Sequence, residues 1–405
     1  MKKKLWNKDF ILLLQGSTVS IIGDLMYSVA IGYWVYQKTG STALMGTMSS
    51  ISMFVTMFLS PFSGSIVDKC NRKWVLVGID TAQGLLMIAI GILAYLNKLN
   101  IAGVLITAFL AALGSVFFSP AVSTLMIDII PHDDMVRGQS VFSGISSAIS
   151  MLGTAFSGVM VAFFGVPLIV VINGLSNLYS AVSELFIRIP KTVQQGDPVT
   201  VKGVLRDTGT AVSEIFKNRF MQVFVPCALL INFLGAGASA LMLPFCMEKG
   251  FSVDIYGYLM SAYTAASLLC ALILGIVKLS SKARYLIMGI GFCLSVPCSV
   301  LACLAGNPIV VGIALFLSAF LNSAGNSIFN ASMMLALPEE NRGAILGFIQ
   351  AACTGGIALS SLIYGLLGEV FPLYLVFMVG TIASLPLMLY LCLHKHTKEF
   401  ILEYS

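Results

Sequence analysis

Twelve runs of apolar residues divide the chain, at roughly 10–36, 42–67, 74–96, 101–130, 138–164, 167–187, 220–247, 255–279, 285–305, 308–337, 342–370 and 372–393. As a helix, each is long enough to cross a hydrocarbon layer of about 30 Å. Backbone groups in lipid must be satisfied inside their own segment, so helices are the predicted form, and the frequent glycines do not count against it. Only one long stretch breaks the rhythm, the polar connector from Arg188 to Arg219. In it, Pro190 and Gly196-Asp197-Pro198 read as turns. Val201, Val204, Leu205, Thr208, Val212, Ile215 and Phe216 then recur at helical spacing, opposite Lys202, Arg206, Glu214 and Lys217. That pattern predicts an amphipathic helix lying on a membrane surface rather than a thirteenth span. A partner-binding helix is the alternative.

The pattern also repeats across the connector. Lys38-Thr39-Gly40 before the second run is matched by Lys249-Gly250 before the eighth, and Gly46 and Gly64 by Gly257 and Gly275. Pro131 with Arg137-Gly138 is matched by Pro338 with Arg342-Gly343, and Pro167-Leu168 by Pro372-Leu373. A duplicated six-helix unit accounts for all of these. The expected fold class is an all-α membrane protein with 12 transmembrane helices in two six-helix bundles, 1–189 and 220–405, joined by the connector 190–219.

Composition sharpens this. Of 405 residues, 58% are apolar and 10% charged, against about 25% charged in soluble domains, so most of the surface must face lipid. Of the 23 lysines and arginines, only Lys38, Lys98 and Lys249 fall on one side of the predicted spans, and the other twenty fall on the opposite side. The positive-inside rule then places both termini in the cytoplasm of a multi-pass protein of the cytoplasmic membrane. Lys2, Lys3 and Lys4 precede an apolar run too long for a signal-peptide core, so the first span is expected to be retained. The net charge of +5 is scattered over loops and is not the footprint of a nucleic-acid binder. The nine cysteines show no metal-ligand or C-x-x-C spacing, and most lie in apolar runs, where a thiol acts as a small hydrophobe. No phosphate loop or nucleophile elbow is present, so no enzyme activity and no cofactor is expected.

One short turn carries sharper information. Gly64-Ser65-Ile66-Val67-Asp68-Lys69-Cys70-Asn71-Arg72-Lys73 joins the second and third runs, with a carboxylate and three cations crowded together. A carboxylate at a helix C-terminus is unfavourable unless cations offset it. The spacing resembles the signature loop of the major facilitator superfamily of secondary transporters, with Asn71 in place of the usual glycine. Ser20-Ile21-Ile22-Gly23-Asp24, Lys38-Thr39-Gly40-Ser41, Asp80 and Phe118-Ser119-Pro120-Ala121 further resemble the group of bacterial macrolide efflux proteins and related exporters. That resemblance implies two parallel six-helix halves, alternating access, and export of amphipathic small molecules in exchange for protons by a monomer. It is incomplete: Ala111 stands where many proton antiporters carry arginine, and the fifth-span motif survives only as Gly153-Thr154 and Ser157-Gly158. A nutrient or metabolite transporter of the same fold, and a non-transporting scaffold or receptor, stay open as alternatives.

Charged groups inside spans are expensive and are therefore functional candidates. Asp24 is foremost, in the first span on one helical face with Ser17, Ser20 and Ser28, and with no cation near it in the pattern. The expected substrate or proton site combines Asp24 with Gln15, Asn177, Glu184, Asn232, Asn322, Asn326 and Gln350. Asn173 shares a face with Asn177, and Ser318, Asn322, Asn326 and Asn330 form a stripe in the tenth run. Interhelical hydrogen bonding is the competing use for each amide, and Glu184 is equally readable as a snorkelling group. Gly64, Asp68, Lys69, Arg72, Lys73, Asp80 and Asp128 form the expected conformational gate, a charge cluster latching one face.

Overall fold

The computed structural model describes residues 5–131, 134–188, 213, 219–277, 280–336, 342–395 and 397–398. Twelve helices cover them: α1 (Lys8–Thr39), α2 (Thr42–Lys69), α3 (Arg72–Tyr95), α4 (Ile101–Ile129), α5 (Met135–Leu185), α6 (Arg219–Ala240), α7 (Met242–Glu248), α8 (Val253–Ile276), α9 (Ser281–Leu304), α10 (Pro308–Ala336), α11 (Arg342–Gly368) and α12 (Leu373–Leu393). Eleven stretches among the described residues are long and apolar enough to cross a membrane. The predicted run 138–164 is the first limb of α5, which breaks at Gly165 (φ 72°, ψ 161°). Only glycine takes that backbone readily, and Pro167 follows to start the second limb. The predicted run 220–247 is divided into α6 and the short α7. All but a fragment of the connector, and with it the predicted surface helix, lies outside the described residues.

Local chemistry sets the helix ends. Asn7 caps α1 by accepting from the Phe10 N–H at 2.9 Å, and Gly40, in the left-handed conformation, closes it by donating to the Tyr36 carbonyl. Asn100 caps α4 in the same way, accepting from Gly103 N–H at 2.7 Å.

The helices fall into two units. Unit 1 comprises residues 1–40 and 51–199; unit 2 comprises 41–50 and 200–405. The division lies at Val199/Thr200, but the first turns of α2 group with the second unit. In unit 1, α5 packs most extensively on α1 and α3. Its second limb lies between them at glycine contacts, which let helix backbones approach closely. A Cβ on Gly174 would stand 2.7 Å from the Gly84 carbonyl oxygen and 2.6 Å from Ile88 Cγ1. At one end of unit 1, Phe10, Leu13, Leu76, Leu125, Met126 and Ile187 form a closed apolar core. Arg72, Lys73 and Arg188 gather at this end, which is called the basic end below.

In unit 2, α9 packs on α10, α10 on α8, and α6 on α11 and α12. Phe224 and Phe329 stack with centroids 4.4 Å apart in its core. The first turns of α2 are tied down here: Thr42 Oγ1 donates to the Gly365 carbonyl at 2.8 Å and Ser50 Oγ to the Ala358 carbonyl at 2.7 Å. Glu369, just past α11, accepts from Ser41 Oγ at 2.6 Å and from Ala43 N–H at 3.0 Å. A carboxylate at the N-terminus of α2 also suits the helix dipole. These hydrogen bonds hold the Glu369 carboxyl below the usual carboxylate range. Outward-facing side chains of both units are large and apolar, as Phe163 (81% exposed) and Ile309 (71%) show, the composition a lipid-facing surface requires.

Candidate functional site

The second limb of α5 carries Asn173, Ser176, Asn177, Ser180, Ser183 and Glu184. Their spacing puts them on one helical face, and α1 and α3 cover it. Opposite them, α1 places glycines: a Cβ on Gly16 would lie 3.1 Å from Ser180 Oγ, and one on Gly23 would lie 2.7 Å from Asn173 Oδ1. A polar seam therefore runs inside unit 1, where an apolar helix face is the ordinary expectation.

Asp24 stands midway along α1 and is exposed. Asn177 and Asn173 face its carboxyl, and Tyr27, one turn on, is close enough to feel its charge. Asn177 Nδ2 donates to Asn173 Oδ1 at 2.9 Å, which fixes the pair and leaves the Asn173 amide nitrogen without a hydrogen bond of normal geometry. Nearer the basic end, Asp80 is 2% exposed and Glu184 0% exposed, with Ser180 beside both carboxyls. One oxygen of Asp80 and both oxygens of Glu184 lack a hydrogen-bond partner. Gln15 Nε2 donates to Ser183 Oγ at 3.3 Å, and Ser183 Oγ donates to the Leu12 carbonyl at 2.8 Å, closing the seam there.

Two sequence assignments change. Asp80 does not belong to the charged turn. At the start of α3, Arg72 Nη1 instead meets Asp128 Oδ2 at 2.6 Å, each side chain 11% exposed. Lys73 Nζ donates to the Leu185 carbonyl at 2.6 Å. Asp80 lies on the third turn of α3 and faces the seam, because eight residues of helix rotate it away from Arg72. Glu184 does not snorkel: it is fully buried, 0% exposed, beside Ser180. Gly64, Asp68 and Lys69 fall on the last turns of α2, and their side-chain surroundings lie outside the described residues.

The unit 2 candidates do not converge on one point. Asn232 Nδ2 donates to the Ala228 carbonyl at 2.8 Å and to Cys353 Sγ at 3.7 Å, tying α6 to α11. Asn326 Nδ2 donates to Asn322 Oδ1 at 2.7 Å, a pair within α10. Ser318 is buried and hydrogen-bonds Ser299 at 2.6 Å, so this part of the stripe is interhelical cement. Gln350 is exposed on α11, and the Asn330 side chain lies outside the described residues. The residues that sequence missed are Ser176 and Ser180, which the spacing 173, 176, 177, 180, 184 could have exposed as one stripe.

Chemically, unit 1 offers an exposed carboxyl in the middle of a span, backed by amides and continued inward by two buried carboxyls. Carboxyls in such a setting can bind protons or cations. The family model described as Major Facilitator Superfamily matches residues 13–229 and 225–400. Macrolide efflux protein A of Streptococcus pyogenes is 23% identical over 223 residues, 54% of this chain and 55% of that protein, so the chain spans about half the length of this curated relative. An uncharacterized MFS-type transporter of Bacillus subtilis, YfiS, is 24% identical over 389 residues, 94% of this chain and 92% of that one. Among solved structures, a bacterial homolog of the human lysosomal transporter Spinster superposes with a TM-score of 0.75 at 12% identity, covering 98% of this chain and 97% of that chain. With a family match over both halves and eleven membrane-length apolar helical stretches among the described residues behind it, this multi-pass membrane chain belongs to the major facilitator superfamily.

Proposed function

We propose that the chain is a secondary transporter that exports amphipathic small molecules across the cytoplasmic membrane in exchange for protons, with both termini in the cytoplasm and Asp24 as the coupling carboxyl. The observation that carries this is Asp24 itself: an exposed carboxyl at mid-span, held against Asn173 and Asn177. A carboxyl there serves as a switch, since protons and a cationic or polar substrate compete for it. Kinship to a macrolide efflux protein, and to the multidrug efflux pump Tap of Mycobacterium bovis (26% identical over 160 residues, 38% of each chain), supports export of such molecules.

The test is a susceptibility and accumulation panel, with erythromycin and ethidium, in a bacterium stripped of its own exporters. Expression lowers accumulation of at least one compound, and an uncoupler restores it. Equal accumulation with and without the protein for the whole panel, or a reduction that ignores the uncoupler, refutes the proposal. Orientation is tested separately with single cysteines on a background free of native ones. Those at Asn97 and Asn307 react with an impermeant reagent outside intact cells, and those at Asn71 and Gln195 only after permeabilisation; the reverse pattern overturns it.

A further inference from the structure

The buried pair Asp80 and Glu184 is left over once Asp24 is given the coupling role, and it is the most costly feature of unit 1. Two carboxyls, 2% and 0% exposed, sit beside one serine, and three of their four oxygens have no hydrogen-bond partner. Ser180 Oγ lies beside both carboxyls and is itself buried without a hydrogen bond of normal geometry. Of the described cations at this end, Arg72 pairs with Asp128 and Lys73 donates to the Leu185 carbonyl. Asp9, at the same end, accepts from the Arg188 N–H at 3.0 Å. The other charged group described around the pair is Asp24, close enough to Asp80 to interact electrostatically; Tyr27, beside Asp24, is the remaining titratable neighbour. Two adjacent carboxylates without counter-charge cannot both ionise in a buried site, so the pair must share a proton.

The placement is ordered as well as costly. Asp24 is exposed at mid-span, Asn177 and Ser180 follow at one-turn steps along α5, Asp80 meets Ser180 from α3, and Glu184 lies one turn further toward the basic end. We propose that Asp80, Ser180 and Glu184 form a proton relay inside unit 1, linking Asp24 to the basic end along the α1–α3–α5 seam, separate from the path of the substrate. This rests on the coupling role proposed for Asp24. In one step, the Asp80 carboxylic acid gives its proton to Ser180 Oγ, and the serine passes its own proton to the Glu184 carboxylate. The serine is restored, and one positive charge has moved one turn. The Arg72–Asp128 ion pair lies outside the relay.

The experiment uses the purified full chain in lipid nanodiscs and infrared spectroscopy at neutral pH. The wild type shows carbonyl bands of protonated carboxyl groups that shift on deuteration, and Glu184→Gln and Asp80→Asn each remove part of that intensity. If both variants leave the bands unchanged, the pair holds no proton and the relay is overturned. In everted membrane vesicles, Glu184→Gln slows proton-driven ethidium accumulation by about a hundredfold, the low end for loss of a proton-transfer group, and Glu184→Asp recovers part of it. Ser180→Ala keeps the carboxyl bands but slows accumulation, since it removes only the bridge. A well-folded Glu184→Gln protein with a wild-type rate and a wild-type pH profile also overturns the relay. If the wild type itself never concentrates ethidium, the export proposal falls, and the infrared result still decides whether the pair holds its proton.

Discussion

Replacing Arg72 by Gln, Asp128 by Asn, and both together isolates the ion pair at the basic end of unit 1. At 2.6 Å the gross attraction is about 6 kcal/mol at an effective dielectric of about 20. Desolvation offsets most of it, but removing one partner of a buried pair strands the other, at a cost of about 3–5 kcal/mol. With 11% of each side chain still exposed, water reaches the stranded group and the lower figure applies, about 3 kcal/mol for either single variant. For a unit of this size that lowers the thermal midpoint by about 6–12 °C. The double variant has no stranded charge, so it loses no more than one single variant, and the coupling is about 3 kcal/mol or more. Unfolding is followed by the loss of helical circular dichroism, because the buried cysteines a thiol probe would read, Cys227, Cys246, Cys270, Cys303 and Cys392, all belong to unit 2. A double variant whose midpoint falls by the sum of the two singles means the residues do not act as a pair, and the reasoning fails.

Packing and pH give two more tests. Gly174→Ala forces a methyl group to 2.6–2.8 Å from Ile88 and the Gly84 carbonyl, a contact backbone cannot relieve, and costs about 1–3 kcal/mol. Gly78→Ala, with nothing within 4 Å of the new atom, is the neutral control in the same thermal assay; equal midpoints for the two contradict the close contact of α3 with α5. Glu369 is held below the usual carboxylate range by Ser41 and Ala43, so its contribution is present above about pH 4.3 and is lost as pH falls through its lower folded value. The gap in thermal midpoint between wild type and Glu369→Gln is therefore constant at neutral pH and closes on acidification; a gap that ignores pH rules out the cap.

Span placement was legible because apolar run length and turn residues are local properties. The break at Gly165 followed by Pro167 falls between the predicted runs ending at 164 and starting at 167, since a left-handed glycine and a proline interrupt any helix. The partner of each face was not legible. Periodicity shows that Asn173 and Asn177 share a side of α5, but not that glycines 16 and 23 of α1 press against that side. Asp80 was grouped with Arg72 by nearness in sequence, whereas helical rotation sends it to Ser180 and Glu184. Glu184 lies one residue from the end of α5 at Leu185, where long acids ordinarily reach water, yet tertiary packing buries it completely. The capture of Ser41 and Ala43 by Glu369 joins residues more than three hundred positions apart, beyond any local pattern.

The central claim is that Asp24 couples export to protons, and Asp24→Asn tests it most directly, because asparagine keeps size and hydrogen bonding but cannot titrate. Ethidium accumulation is measured in everted vesicles energised by a proton gradient, beside passive equilibration down an ethidium gradient at matched expression. The account predicts that Asp24→Asn abolishes uphill, uncoupler-sensitive accumulation while downhill equilibration persists, and that Asp24→Glu keeps part of both. An Asp24→Asn protein that still concentrates ethidium under the proton gradient contradicts the account and makes Asp24 a structural carboxyl.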